Sequence, residues 1–372
     1  MSQKVLIVPD KFKGTLTAQA AARAMADGWK KSRPQDQVEL LPMSDGGDGF
    51  GTVLSDLLNA KVQTITTVDA AHRPLCAQWW WEPKTKTAII ESARVIGLAM
   101  LPAKKFHPFQ LDTFGLGAVL QAAQKKGATK CLIGIGGSAT NDGGFGLACA
   151  LGWKFSGRFG DPIREWWQLE HVAKILPPEN KFAMQITVAV DVSNPLLGPK
   201  GCSRIYGPQK GLRPEDFVWA EKNLGRMADV LKEQLKINHA AVPGSGAAGG
   251  LGFGLMSFAD GKTESGFEIF SKAAHLENRI RVSDLVITGE GAMDQQTYMG
   301  KGVGQVAVLC KKAKIPCIGL AGVVLEPHKA GKLFSQAHGL VEITTEKNAK
   351  KHPARYLEKL AHKAAAALIV EY

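Results

Sequence analysis

Short apolar runs, each ended by a glycine- or acid-bearing turn and followed by helical spacing, recur at both ends of the chain. Lys4 to Val8 leads into Asp10-Lys11-Phe12-Lys13-Gly14 and then a helical pattern from about Thr17 to Lys31. Val38 to Leu41 runs into Met43-Ser44-Asp45-Gly46-Gly47-Asp48-Gly49. Toward the other end, Asp284 to Ile287 meets an expected turn at Thr288-Gly289-Glu290-Gly291, and Pro316 to Leu320 stops at Ala321-Gly322. A last strand is expected over Gly339 to Ile343. Strands alternating with helices in this way predict a parallel sheet covered on both faces.

The middle of the chain has a different rhythm. Val62 to Val68, Ala77 to Trp81 and Thr87 to Glu91 follow one another with no room for helices between them, the pattern of an antiparallel meander. The expected fold is therefore α/β: a flavodoxin-like parallel-sheet domain built from residues 1–60 and 283–372, with a larger mixed α/β domain, 61–282, inserted. A length of 372 residues favours two domains over one core.

Composition narrows the function classes. A hydrophobic fraction of 45% and a charged fraction of 22% are those of a globular chain, not a disordered one. The formal net charge of +12 favours anionic partners. Nucleic acid is not favoured, because helix-turn-helix, zinc-finger and basic-zipper patterns are missing and Lys347 to Lys351 reads as one solvated helix face. Steering of a small anion fits the charge. Six cysteines without C-x-x-C spacing read as reduced thiols. Val5 to Val8 is too short for a signal-peptide core, and no run of about 18 apolar residues predicts a membrane span. A cytoplasmic monomer or homodimer acting on a small molecule is expected.

The candidate chemistry lies where strands end. Gly134-Ile135-Gly136-Gly137-Ser138-Ala139-Thr140-Asn141-Asp142-Gly143-Gly144 follows the strand-like Cys131 to Ile133. Amides in such a loop can converge on an oxyanion, with Ser138, Thr140 and Asn141 adding short donors. A tight glycine turn packing strand on helix is the competing explanation. Asp191-Val192-Ser193-Asn194-Pro195 places an acid after the strand Ile186 to Val190, where α/β enzymes bind ligands; an Asx turn before proline explains it equally well. Gly207-Pro208-Gln209-Lys210-Gly211 with Arg204 would set cations on a rigid turn, and Asp10, Lys11 and Lys13 follow the first strand. Glu290 and Asp294 again put acids after a strand, as Mg²⁺ sites often do.

Two matches are set aside. Gly244-Ser245-Gly246-Ala247-Ala248-Gly249 has dinucleotide-loop spacing but no clear βαβ context, and Gly261-Lys262-Thr263 lacks the first glycine and leading strand of a P-loop.

Taken together, Pro9 to Gly14, Asp45 to Gly49, Gly134 to Gly144, Asp191 to Leu197, Ser203 to Gly211, Pro243 to Gly250, Thr288 to Gly291 and Gly300-Lys301 resemble, in this order, the motifs of the bacterial glycerate kinase family. The type is the one that includes the glucarate- and glyoxylate-pathway enzymes. The resemblance implies ATP- and Mg²⁺-dependent phosphorylation of D-glycerate, usually to 2-phosphoglycerate. There are departures: Asp48 and Phe50 stand for the usual Glu and Thr, Ala292 for Arg, Val303 for Pro, and Leu116 and Ala118 for Thr and Glu.

Phosphoryl transfer needs cations on the transferring group, an acid to hold Mg²⁺ and a carboxylate beside the attacking hydroxyl. On that scheme Asp191 is the expected base and Asp45 and Asp294 hold the metal. Lys11, Lys13, Asp10, Gly136, Gly137, Ser138, Asn141, Gly289 and Lys301 contact substrate or phosphate, while Arg204 and Lys210 neutralise developing charge. A dinucleotide-dependent oxidoreductase of a small hydroxy acid and a non-enzymatic sugar-acid-binding protein are the rival readings.

Overall fold

The computed structural model describes residues 2–180 and 182–370. Its strands are β1 (Lys4–Pro9), β2 (Gln37–Leu40), β3 (Lys61–Val68), β4 (Pro74–Glu82), β5 (Thr87–Glu91), β6 (Lys130–Gly134), β7 (Lys154–Ser156), β8 (Lys174–Leu176), β9 (Gln185–Ala189), β10 (Lys262–Glu264), β11 (Leu285–Met293), β12 (Cys317–Val324) and β13 (Gln336–Gly339). The chain forms two compact units, Met1–Asp45 with Phe267–Tyr372, and Gly46–Gly266.

The unit made from both chain ends carries one all-parallel sheet, β13-β12-β11-β1-β2. Counted within the unit, the order is 2-1-3-4-5, that of a flavodoxin-like sheet. Thr17 starts the helix Ala18–Ser32 by accepting from the Ala20 amide at 3.1 Å. That helix packs on Pro353–Val370, and Val5, Ile7, Leu285, Ile287, Ile318 and Leu320 join the pair in one core. The alternate residues Leu6, Val8 and Val286 are equally buried, so both faces of the sheet are covered. Burial on both faces is why these strands read as unbroken apolar runs.

Three local expectations need correction. The segment Thr288-Gly289-Glu290-Gly291 is not a turn: β11 continues through it to Met293, and β12 likewise continues past Gly322 to Val324. Gly289 permits this, because a Cβ there would lie 2.0 Å from the Leu320 carbonyl. The last strand ends at Gly339, and Leu340–Glu342 forms a 3₁₀ turn, where a strand to Ile343 was expected.

The second unit carries a mixed sheet, β10-β9-β6-β5-β4-β3, and a small pair, β7-β8. The expected meander is present: β3 to β4 and β4 to β5 are antiparallel, and β5, β6, β9 and β10 then pair in parallel. The units divide at 45/46 and 266/267, ahead of the expected 60/61 and 282/283. Helix Phe50–Leu58 sits so close to β4 that a Cβ on Gly51 would fall 2.1 Å from the Trp80 ring. Helix Leu276–Arg281 packs on Val303–Ala313 in the first unit. Among the described residues, no helix is long and apolar enough to cross a membrane.

Candidate active site

In the first unit, the carboxyl end of β1 lies beside Gly289, in the middle of β11. The Asp10 amide donates to Gly289 O at 2.9 Å, and the Lys11 amide donates to Asp10 Oδ1 at 2.7 Å. Asp294 caps the short helix Gln295–Tyr298, with Oδ1 accepting from the Gln296 amide at 2.8 Å. Between these acids stands Glu290, a residue left out of the expected roles. It accepts from Thr297 Oγ1 at 2.7 Å, and its carboxyl is pushed up to about 7 by burial, with Asp10, Asp294 and Asp45 adding to the rise. Lys13 and Lys301 are exposed, and Lys11 is partly buried. Among the described residues, no three His, Cys, Asp or Glu side chains are arranged as a ready metal cage.

A carboxyl raised to about 7 destabilises the fold when ionised. The penalty is present above pH 7 and fades as pH falls through 7 toward the ordinary glutamate value of 4.5. Glu290→Gln is therefore expected to raise the melting temperature by several degrees at pH 8. The gain should shrink steadily between pH 7 and pH 5 in thermal scans; a pH-independent shift would contradict the assignment.

In the second unit, the glycine loop after β6 is packed from within. A Cβ on Gly136 would lie 2.7 Å from Gly47 Cα, one on Gly137 2.6 Å from Asp48 Oδ1, and one on Gly144 2.6 Å from Gly254 Cα. Much of its glycine content thus serves close approach to the Gly46–Gly49 loop and to the helix Ala247–Ala259. Its amides are also engaged internally: Gly136 donates to Gly46 O at 3.2 Å, Ala139 to Ile96 O at 2.8 Å and Gly143 to Gly249 O at 3.1 Å. Asp142 lies at the start of helix Phe145–Ala150 and accepts from the amides of Gly144 (3.3 Å) and Gly146 (3.0 Å) and from Thr113 N (2.9 Å) and Oγ1 (2.7 Å). Burial raises its carboxyl to about 6. Glu91 does the same for helix Phe50–Leu58, accepting from Gly49 N at 3.0 Å and Gly51 N at 2.9 Å. Both helix starts already hold one of the protein's own carboxylates.

The loop's side chains instead gather around Lys210. The segment Gly207–Gly211 is not a turn but the end of helix Cys202–Lys210, with Gly211 at its left-handed C-cap. Ser203 and Lys210, seven residues apart, share its buried face; Arg204 points outward. Arg204 makes only a loose 3.9 Å approach to Glu221 and lies over Phe217. Lys210 Nζ donates to Thr140 O at 2.6 Å and Ser138 Oγ at 3.0 Å, and Ser138 Oγ donates to Ala248 O at 2.9 Å. Burial lowers its ammonium to about 8. Asn141 Nδ2 donates to Ser203 Oγ at 2.9 Å. Ser138, Asn141 and Lys210 are therefore brought together, and Arg204 is not among them.

Asp191 follows β9, as the strand pattern predicts. Its Oδ1 accepts from Ser265 Oγ at 2.7 Å and from the Gly266 amide at 3.1 Å. The two rejected nucleotide motifs have structural employment. A Cβ on Gly246 would lie 2.1 Å from Pro195 O, and Lys262-Thr263 lies in β10.

Residues 5–369 match the glycerate kinase family. The chain is 39% identical to glycerate 2-kinase of Escherichia coli K12, over 86% of this chain and 85% of that one. It is 35% identical to glycerate kinase of Bacillus subtilis 168, over 98% and 97%. A crystallised Salmonella typhimurium LT2 protein assigned as glycerate kinase 2 superposes with a TM-score of 0.82 at 31% identity, covering 100% of this chain and 99% of the other. With these relatives, the parallel-sheet α/β fold is that of a kinase. The chain belongs to the glycerate kinase family.

Proposed function

We propose that this protein transfers the γ-phosphoryl group of ATP to the C2 hydroxyl of D-glycerate, giving 2-phosphoglycerate and ADP. The observation that carries the local reading is Lys210. It is a buried ammonium whose hydrogen-bond acceptors, Thr140 O and Ser138 Oγ, are both neutral. The Asp142 carboxylate favours its charge from a distance but forms no ion pair with it, and a buried charge not directly paired is costly, so an anionic ligand is the natural partner.

The attacking oxygen forms its bond to the γ-phosphorus as the bond to the β,γ-bridging oxygen breaks, and the hydroxyl proton passes to a carboxylate. Asp191 is proposed for that proton. Lys11 and Lys13, with Asp10, Gly289 and Lys301 around the same strand ends, are proposed to face phosphate or carboxylate oxygens. Gly137, Ser138, Asn141 and Lys210 are proposed to face substrate oxygens from the glycine loop, with Gly136, whose amide is held by Gly46 O, shaping the loop beside them.

The acids around Glu290 suit a divalent cation, since after burial their repulsion adds to the rise of the Glu290 carboxyl. Mg²⁺ commonly takes one or two protein carboxylates plus phosphates and water. Asp45 and Asp294 would hold it, and when bound it would withdraw charge from the phosphate oxygens. A cytoplasmic setting fits a chain whose cysteines are all free.

Purified protein with ATP, Mg²⁺ and D-glycerate should release ADP, and phosphorus NMR should place the new phosphate on the C2 oxygen. A 3-phosphoglycerate signal would overturn the regiochemistry. No ADP above background would overturn the substrate.

A further inference from the structure

Three hydrogen-bonding groups around the glycine loop lack what their chemistry requires. Lys210 has no ion-pair partner among the described residues. Thr140 Oγ1 and Asn141 Oδ1 are fully buried with no hydrogen-bond partner. Turning the Asn141 amide over would only exchange the orphaned oxygen for an orphaned nitrogen, because Ser203 Oγ engages the other end. Buried polar atoms left this way are rare and call for a ligand or water.

The backbone that carries Thr140 and Asn141 and the Lys210 ammonium meet at Gly249. A Cβ on Gly249 would stand 2.0 Å from Thr140 O, 2.8 Å from Lys210 Nζ and 2.9 Å from Asn141 Cα. Gly249 lies in a run of left-handed residues, Ala248 (φ 57°), Gly249 (φ 73°) and Gly250 (φ 85°), and packs against the Thr140 carbonyl and the Lys210 ammonium.

We propose that Lys210, Thr140 and Asn141 form the subsite for a small hydroxy carboxylate, and that the nucleotide's phosphates bind elsewhere. The proposal rests on the glycerate kinase reading and goes further by dividing the site between its two substrates. A carboxylate supplies the single negative charge that Lys210 calls for. A hydroxyl both donates and accepts, so it suits the open end of the Asn141 amide in either orientation and the Thr140 hydroxyl as well. A nucleotide tail is a poor match. Its several charges would meet one cation here, Arg204 faces outward, and the two neighbouring helix starts are filled by Asp142 and Glu91.

Thr140→Val tests this most cleanly, because it removes a hydroxyl that the fold leaves unsatisfied. The variant should melt at or above the wild-type temperature. It should bind D-glycerate about 3- to 10-fold more weakly by calorimetry, with ATP affinity unchanged. Lys210→Met should weaken D-glycerate about 10- to 100-fold, again sparing ATP. Glycerate affinity unchanged in both folded variants, or ATP weakened by the same factor as glycerate, would overturn the subsite while leaving the kinase reading intact. A wild-type protein that neither binds nor phosphorylates D-glycerate would remove both.

Discussion

Asp191→Asn is expected to lower kcat at least about 100-fold, the lower range for a positioned acid–base group. The melting temperature should stay near that of the wild type. The second half of that expectation comes from geometry. Asp191 uses Oδ1 to accept from Ser265 Oγ and the Gly266 amide. An asparagine placed the same way keeps an oxygen for both donors and loses only the charge. If Asp191 served merely to shape the turn before Pro195, the variant would keep both its fold and its turnover. Measuring kcat and melting temperature on one preparation separates the outcomes. Near-wild-type turnover would take Asp191 off the catalytic list and make Asp45 the next carboxylate to replace.

Lys210→Met should lower kcat/KM by about 100- to 1,000-fold, the scale of removing one well-placed donor to a developing or bound anion. The pH profile adds a sharper mark. With its ammonium lowered to about 8, Lys210 loses its proton just above neutrality, so wild-type kcat/KM should fall above about pH 8. The residual activity of the variant should lack that limb. Stability should move the other way. A lysine with a lowered folded value costs stability while charged, and the cost is relieved only as pH rises from 8 toward 10.5. At pH 7 the variant should therefore melt no lower than wild type. A large loss of stability with activity lost in proportion would make Lys210 a structural strut.

Strand ends were legible in the sequence where an apolar run stops abruptly at an acid. Lys4 to Val8 before Asp10 and Ile186 to Val190 before Asp191 match β1 and β9 within a residue or two. The meander was legible because its turns are too short for helices. What stayed hidden depends on contacts between distant segments. Gly289 looks like a turn residue until Leu320 O is seen to need its empty side. Gly207-Pro208 likewise looks like a loop, yet Gly207 packs on Leu212 and lets the helix run through to Lys210. Glu290, Thr140 and Asn141 stood out as types in the sequence, but the raised Glu290 carboxyl and the orphaned Thr140 and Asn141 atoms did not. A carboxyl's neighbours and a hydroxyl's missing partner are properties of the folded molecule. The glycine loop shows the same limit: its pattern marked a special place, but most of its close approaches are to other parts of the protein.

The division of one parallel sheet between the two chain ends has a consequence for biosynthesis. β1 leaves the ribosome early, but its central neighbour β11 lies beyond residue 284. At about 5–20 residues per second, the nascent chain exposes the apolar Val5–Val8 stretch for roughly 15 to 55 s before that partner exists. Gly46–Gly266 can meanwhile collect all of its own strands and collapse, since its sheet borrows nothing from either end. Translation arrested near residue 284 would thus leave an assembled middle trailing a first strand whose β11 edge is open and aggregation-prone, with β2 as its one strand neighbour. Early chaperone capture should fall on the opening residues and end once β11 emerges.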